Sequence, residues 1–389
     1  MTPNSSGTEN TAATGLPGSP TEEQVRNALR SVMDPDLHKD LVSLNMIKNI
    51  QIHDGHVMFT VELTTPACPL KEKIESDCRE AVSQVPGVRE ISIEMTANVL
   101  ARRATGGKTI PGVKNVIAIA SGKGGVGKST VTVNLALALA QCGARVGIMD
   151  ADIYGPSVPM LMGLDDEEVG TTAVRLPDGN VVRRIAPPER FGVPCVSMGF
   201  FVPPGQPVVW RGPMLGKTLK QFLEEVQWGD LDYLLVDMPP GTGDVTMSLA
   251  ELIPLSGAVI VTTPQDVAAS IAVKAMRAFQ AIEQQTQGRV RVPILGFIEN
   301  MAYFVAPDTG TQYYIFGRGG GQEAAEELKV PFLGMIPLDI PTRQGSDEGE
   351  PVVIAYPDSE QSRTFREIAG KLAQQVSIHA RQYRPLAMA

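Results

Sequence analysis

Eight consecutive residues, Gly122-Lys123-Gly124-Gly125-Val126-Gly127-Lys128-Ser129, follow the pattern G-x-x-x-x-G-K-S/T. Glycines at these places let backbone N–H groups turn inward around phosphate oxygens. Lys128 is expected to reach the outer phosphates and the Ser129 hydroxyl to hold Mg²⁺, with Thr130 completing the nucleotide-binding run. An apolar strand pattern, "VIAIA", precedes the run and an apolar helix pattern, "TVTVNLALALA", follows it. Strand, loop and helix in that order are the context the pattern needs, so the chain is expected to bind a nucleotide. Lys123 is one lysine more than such a loop requires.

Three aspartates can complete the chemistry. In "YLLVDMPPGTGDV" an apolar strand ends at Asp237. Its carboxylate should share the C-terminal sheet edge with the phosphate loop and act on Mg²⁺ directly or through water. Pro239, Pro240, Gly241 and Gly243 make the next loop one that could sense a γ-phosphate. In "GIMDADIYGPS", Asp150 ends a strand and Asp152 starts the following loop. One can help position magnesium and the other can orient or deprotonate an attacking water, because phosphoryl transfer depends mostly on positioning and charge. Alternatively, one of the pair only caps Gly155-Pro156-Ser157. Asp150 and Asp237 are assigned to the magnesium shell and Asp152 to the water.

These groups need a sheet to hold them along one edge. From Val116 onward apolar strands alternate with helical stretches, which predicts an α/β fold with a doubly wound, mainly parallel P-loop NTPase sheet. Strands are expected over 115–120, 145–150, 194–198, 232–237, 257–263, 293–299 and 332–336, with a hairpin around Asp178-Gly179. A small α+β domain precedes them. Ser19 is expected to cap a helix running to about Met33, with Pro20 at its first position and Glu22 reaching back. "IKNIQIH" and "HVMFTVEL" alternate across Asp54-Gly55, a strong hairpin signal. A helix over roughly Leu70 to Gln84 and the strand "VREISIEM" close this module. The expected organisation is a solvated tail over 1–19, the small domain over 20–96, a linker over 97–114, the ATPase-type domain over 115–378 and a tail over 379–389.

The 389 residues are 43% hydrophobic and 20% charged, with a formal net charge of −9, which argues against a nucleic-acid coat or a basic membrane patch. The first residues lack the basic start and apolar core of a signal peptide, and apolar runs such as "SGAVIVTTP" are only strand-length. Cys68, Cys78, Cys142 and Cys195 contain no C-x-x-C pair and form no disulfide framework. The expectation is a cytoplasmic protein with neither a membrane nor a nucleic acid as partner.

The run from Lys123 to Lys128 resembles the deviant Walker A motif of the MinD/ParA/nitrogenase-iron-protein superfamily. That resemblance implies a homodimer in which nucleotide-bound subunits face each other and Lys123 crosses to the partner's phosphates. A cation delivered in this way neutralises developing charge only in the assembled state; the alternative is a solvated lysine in a mobile loop. "WRGPMLGKTLKQFL", "TTPQDVAA", "IENMAYF", "IFGRGGG" and "MIPLD" narrow the resemblance to the Mrp/ApbC group of iron–sulfur cluster carrier ATPases, from Asn115 to about Ile378. "LTTPACPL" resembles the small iron–sulfur assembly domain often fused to them. The resemblance implies ATP and Mg²⁺ as ligands, and iron–sulfur assembly proteins and recipient apoproteins as partners. Lys123 and Lys128 would carry transition-state charge. It also implies that Asn300 hydrogen-bonds the adenine and that the loop Pro337-Leu338-Asp339 encloses the base, unless Asn300 simply caps a turn.

The usual cluster site of that group is a C-x-x-C after the E-N-M segment. Here the stretch is "FVAPDTGTQYYIFG", with Ala306 and Thr309 at the cysteine positions; Asp308 offers only an oxygen where iron–sulfur chemistry prefers sulfur. An iron–sulfur cluster would need ligands from elsewhere. Cys68 is the best candidate, since it precedes Pro69 and a helix start that would lower its pKa; otherwise it is a small residue packed at a loop. Core packing is expected of Cys78, Cys142 and Cys195. The leading expectation is an ATPase that couples a nucleotide-driven dimer change to iron–sulfur cluster assembly or transfer. The alternatives are a cluster-free ATP-driven accessory factor of the same pathway and a MinD/ParA-like positioning ATPase. The last needs a basic amphipathic tail or surface, whereas the stripe Phe365, Ile368, Leu372 and Val376 more often packs on its own domain.

Overall fold

A computed structural model of the protein describes residues 19–35, 37–101, 109–175, 179–201 and 212–382, the side chains of 212–217 and 244–245 excepted. The described residues separate into two units. One combines residues 19–63 with Leu70–Ala97; the other combines Thr64–Pro69 with the residues from Asn98 onward.

In the smaller unit the first helix is Glu22–Leu29, and its cap is Thr21 rather than the expected Ser19. The Gln24 N–H donates to Thr21 Oγ1 at 3.3 Å, and the Thr21 N–H donates to Gln24 Oε1 at 2.9 Å. Thr21-Glu22-Glu23-Gln24 sets a hydroxyl and a carboxamide three residues apart, so this box displaces the cap by two residues. The helix stops short of Met33 because Met33–Asp34 pairs antiparallel with Lys39–Asp40. Strand Ile47–His53 runs antiparallel to His56–Leu63 through Asp54 and Gly55, both at positive φ (49° and 83°). Strand Glu90–Ala97 lies parallel to His56–Leu63, and helix Lys71–Ser83 buries Ile74, Cys78 and Val82 at helical spacing.

The larger unit is built on a 9-stranded sheet. Its spatial order is Glu189–Arg190, Val193–Ser197, Val146–Asp150, Leu231–Asp237, Val113–Ser121, Gly257–Thr262 and Ile294–Val305, the last pairing with both Phe332–Leu338 and Gln312–Tyr313. The longer strands are parallel throughout; only the two-residue strands are antiparallel. These ranges match the expected strands closely, because each is a short apolar run bounded by turn residues. Alternation divides the core into two layers. Ile117 and Ile119 pack with helices Lys128–Gln141 and Glu360–Gln382, whereas Val116, Ala118 and Ala120 pack with Asp244–Leu252 and Asp266–Gln285. The expected hairpin is the antiparallel pair Gly170–Arg175 and Val181–Ala186; its residue Asp178 lies outside the described residues, as does most of the expected tail 1–19.

Parts of the expected linker and C-terminal tail are packed. Val99 and Ile110 are buried, and Asn115 Nδ2 donates to the Leu100 carbonyl at 3.0 Å. The last helix continues to Gln382 and buries Val376, Ser377 and Ala380. Its stripe Phe365, Ile368, Leu372 and Val376 is also buried in the core.

The segment Thr64–Pro69 is fixed within the larger unit by polar contacts. The buried Tyr233 hydroxyl donates to Thr65 Oγ1 at 3.1 Å, and Ser377 Oγ donates to the Thr64 carbonyl at 3.4 Å. A Cβ on Gly370 would lie 2.9 Å from the Ala67 carbonyl oxygen, so only glycine lets the helix approach this closely. Cys68 therefore belongs structurally to the larger unit and not to the strands beside it in sequence.

Candidate functional site

The phosphate loop links strand Val113–Ser121 to helix Lys128–Gln141. Gly127 sits at the helix N-cap with φ 78°, a left-handed conformation that L side chains avoid. A Cβ there would also collide with Asn300 Nδ2. Asn300 approaches because its Nδ2 donates to the Val126 carbonyl at 2.8 Å, tying the end of strand Ile294–Val305 to the loop. One amide hydrogen and the carboxamide oxygen of Asn300 remain for other partners.

Behind the loop lies a buried charge cluster. Lys128 is only 6% exposed; its Nζ is 2.7 Å from Asp237 Oδ2 and 3.8 Å from Asp152 Oδ2. Ser129 Oγ donates to Asp237 Oδ2 at 2.6 Å, and Thr132 Oγ1 donates to Asp237 Oδ1 at 2.8 Å. Strand register puts Asp237 beside Asp150 and Asp150 beside Ser197. Asp150 accepts from the Asp152 N–H at 3.0 Å, the Val158 N–H at 3.3 Å and Ser197 Oγ at 2.9 Å. Burial, reinforced by the Asp237 carboxylate, raises the Asp150 pKa to about 7. Burial also raises Asp152, against the opposing pull of Lys128.

Asp152 stands at the start of the Tyr154-Gly155 turn with its Oδ2 3.8 Å from Lys128 Nζ. The backbone N–H groups of Tyr154 and Gly155 pull its pKa down, in keeping with a place at the start of that turn. Its Oδ1 is nevertheless buried without a hydrogen-bond partner among the described residues. An acceptor left in that condition calls for a donor such as water, while the Ser129 hydroxyl and the Asp237 carboxylate, joined at 2.6 Å, are the hard oxygens that suit Mg²⁺. Ser129, Asp150, Asp152, Asp237 and Lys128 are thus brought together as the spacing predicted. Thr132 and Ser197 were not foreseen. Thr132 is one turn beyond Lys128 and was readable in principle, whereas Ser197 is identified only by strand register.

The other predicted positions are placed less directly. Lys123 Nζ donates to Gln265 Oε1 at 2.9 Å, an intrachain contact. Pro337 lies in strand Phe332–Leu338, and its carbonyl accepts from Gln361 Nε2 at 3.2 Å. Asp339 is engaged as the N-cap of helix Ile340–Glu348, accepting from the Thr342 N–H at 2.9 Å.

The family described as NUBPL iron-transfer P-loop NTPase (ParA) matches residues 112–373. The chain belongs to that family. A second family, described as iron–sulfur cluster assembly protein, matches residues 22–93. Among similar proteins, an "Iron-sulfur cluster carrier protein" of Synechocystis sp. is 48% identical over 92% of this chain and 99% of its own length. A protein of the same description from Escherichia coli (strain K12) is 40% identical over 90% of this chain and 91% of its own. Among solved structures, a nucleotide-binding protein from Archaeoglobus fulgidus in complex with ADP is 36% identical, with a TM-score of 0.52, over 65% of this chain and 92% of that chain.

In this member of the iron-transfer family, Ala306 and Thr309 occupy a turn closed by its own bonds. The Ala306 N–H donates to the Thr311 carbonyl at 3.0 Å and the Gly310 N–H to the Ala306 carbonyl at 2.8 Å. Gln312–Tyr313 then pairs with Phe304–Val305. Among the described residues, no group of three or more His, Cys, Asp or Glu could hold a metal ion. Cys78 and Cys195 are buried, and burial pushes the Cys78 thiol up to about 12 and raises that of Cys195. Both are poor thiolate donors. Cys68 and Cys142 are half-buried. The Cys68 segment lies against the end of the phosphate-loop helix, since a Cβ on Gly143 would meet Pro66 Cβ at 3.9 Å. Among the described residues no helix is long and apolar enough to cross a membrane.

Proposed function

We propose that the protein is an ATP-binding and ATP-hydrolysing homodimer of the cytoplasm that serves iron–sulfur cluster assembly or transfer to apoproteins. The observation that carries this reading is the convergence of Lys128, Ser129, Asp152 and Asp237 behind the phosphate loop of an iron-transfer NTPase. Its relatives are described as iron–sulfur cluster carriers over nearly the whole chain.

Lys128 leaves its Asp237 partner for the outer phosphates, because an ammonium gains more from a phosphate dianion than from one carboxylate. Ser129 and Asp237 would hold Mg²⁺, with Asp150 behind them, and the ion would supply charge neutralisation at the phosphates. Asp152 offers its unpartnered Oδ1 to the attacking water and orients it. Lys123 completes the partner's site across the homodimer, and Asn300 contributes its remaining amide groups to the adenine. Pro337 and Asp339 frame the base.

The cluster is cargo in this reading. Ala306 and Thr309 supply no thiolate, so the protein's own contribution rests on Cys68, with further ligands from a second subunit, an assembly protein or the recipient. The buried state of Phe365, Ile368, Leu372 and Val376 favours this reading over a lipid-bound positioning ATPase, since that stripe already serves the core.

Anaerobic reconstitution with iron and sulfide, on wild type and Cys68→Ser, tests the cargo. A stoichiometric cluster in the wild type that is lost in the variant is expected. No cluster in either would remove the carrier reading and leave the cluster-free accessory role. MgATP turnover in the same preparations tests the ATPase separately.

A further inference from the structure

We propose that Gln361 reads the base of the bound nucleotide and selects a 6-aminopurine, an inference that rests on the nucleotide-binding reading above. Gln361 stands in the first turn of helix Glu360–Gln382 and is 5% exposed. Its Nε2 donates to the Pro337 carbonyl, while its Oε1 is buried and meets no donor among the described residues. Exchanging the two amide atoms does not help, because Oε1 would then face the Pro337 carbonyl oxygen, acceptor against acceptor. An acceptor buried in that state is destabilising, and a donor from a ligand relieves it.

The position of Gln361 points to the base. Strands Ile294–Val305 and Phe332–Leu338 are in register at Asn300–Ile336 and again at Phe304–Leu338, so Met301, Ala302 and Tyr303 oppose Pro337 alone. Met301 adopts φ 56° at this irregularity. The ladder is parted there, at the C-terminal edge of the sheet, where doubly wound folds bind ligands. Asn300 borders the parted edge and holds the phosphate loop at Val126; Gln361 borders it from Pro337. A nucleotide with its phosphates in the loop has only its base left to place, and Asn300 joins that loop to this edge. An unpaired acceptor there favours the 6-amino group of adenine. Guanine and hypoxanthine carry a carbonyl oxygen at the same position and meet it acceptor to acceptor.

Titration of the full chain with ADP and with purine riboside diphosphate, which has hydrogen in place of the 6-amino group, tests the ligand side without any substitution. Wild type is expected to bind ADP about tenfold more tightly. In Gln361→Met, which keeps the length and loses the acceptor, the two nucleotides are expected to bind within about threefold of each other. Equal binding by wild type, or a preference that survives in Gln361→Met, overturns the assignment and leaves Oε1 to a buried water. Failure of wild type to bind either nucleotide instead overturns the nucleotide-site reading itself.

Discussion

Lys123 Nζ donates to Gln265 Oε1 at 2.9 Å, so the lysine that the phosphate loop does not need is held within its own chain. Gln265 is the N-cap residue of helix Asp266–Gln285. A Cβ on Gly122 would lie 2.6 Å from the Ile271 backbone in the same helix. The start of the phosphate loop is therefore wedged against that helix and its lysine tethered to the helix's N-cap residue. The tether is an ammonium on a neutral carboxamide, worth about 1.5–3 kcal/mol, and phosphate charge can replace it.

Lys123→Ala is accordingly expected to lower MgATP turnover at least about 100-fold while nucleotide Kd changes less than about tenfold. Steady-state hydrolysis set beside equilibrium nucleotide titration separates the two effects. Undiminished turnover in the variant would end the case for a lysine acting across a dimer.

Asp150 gives the nucleotide-free protein a pH dependence. Its pKa is raised from 3.8 to about 7, so the folded state holds this proton more tightly than the unfolded state does. The contribution is fully present below about pH 4 and is lost as the pH rises toward about 7. Asp150→Asn cannot ionise. Its Tm relative to wild type is expected to improve by several degrees between pH 4 and pH 8, as read by calorimetry at the two pH values. A Tm difference that does not vary with pH would show that Asp150 does not titrate in this range.

Gly127 and Asn300 should be energetically coupled. Gly127→Ala strains a backbone at φ 78° and drives a methyl into the Asn300 amide, at a cost of about 1–3 kcal/mol together with weakened nucleotide binding. Asn300→Ala removes the tie to Val126, a loss of about 1 kcal/mol, but clears the space. The double variant is expected to be more stable than the sum of the singles predicts, measured by urea unfolding. Strict additivity would count against the contact.

The strap that carries Cys68 depends on Tyr233. Tyr233→Phe deletes the donor to Thr65 Oγ1 and is expected to cost about 1 kcal/mol. Limited proteolysis should then cut residues 64–69 faster than in the wild type. An unchanged cleavage rate would indicate that packing of Ala67 against Gly370 holds the strap without the hydroxyl.

Elements whose chemistry is local are legible from the residues alone. The phosphate loop is eight contiguous residues, and its strand and helix are adjacent to it, so spacing alone identifies both. Asp150 and Asp237 were legible because each ends an apolar strand, and parallel strands in one sheet bring such ends to one edge. Cap choice was less legible, since Ser19 and Thr21 offer similar hydroxyls and only Gln24 decides between them. The absence of cysteine at Ala306 and Thr309 was also plain. Pairings between residues far apart in the chain emerge only once the strands and helices are packed. Ser197 meets Asp150 through register, Gln265 meets Lys123 across two loops, and Asn300 ties down Val126. Thr64–Pro69 joins the larger unit although the small unit's strand and helix flank it. Gln361 shows the limit most clearly, because a glutamine on a helix reads as a solvated surface residue until burial leaves its side-chain oxygen without a donor among the described residues. Hydrophobic periodicity encodes which face of an element is buried, but not which polar atom burial leaves without a hydrogen bond.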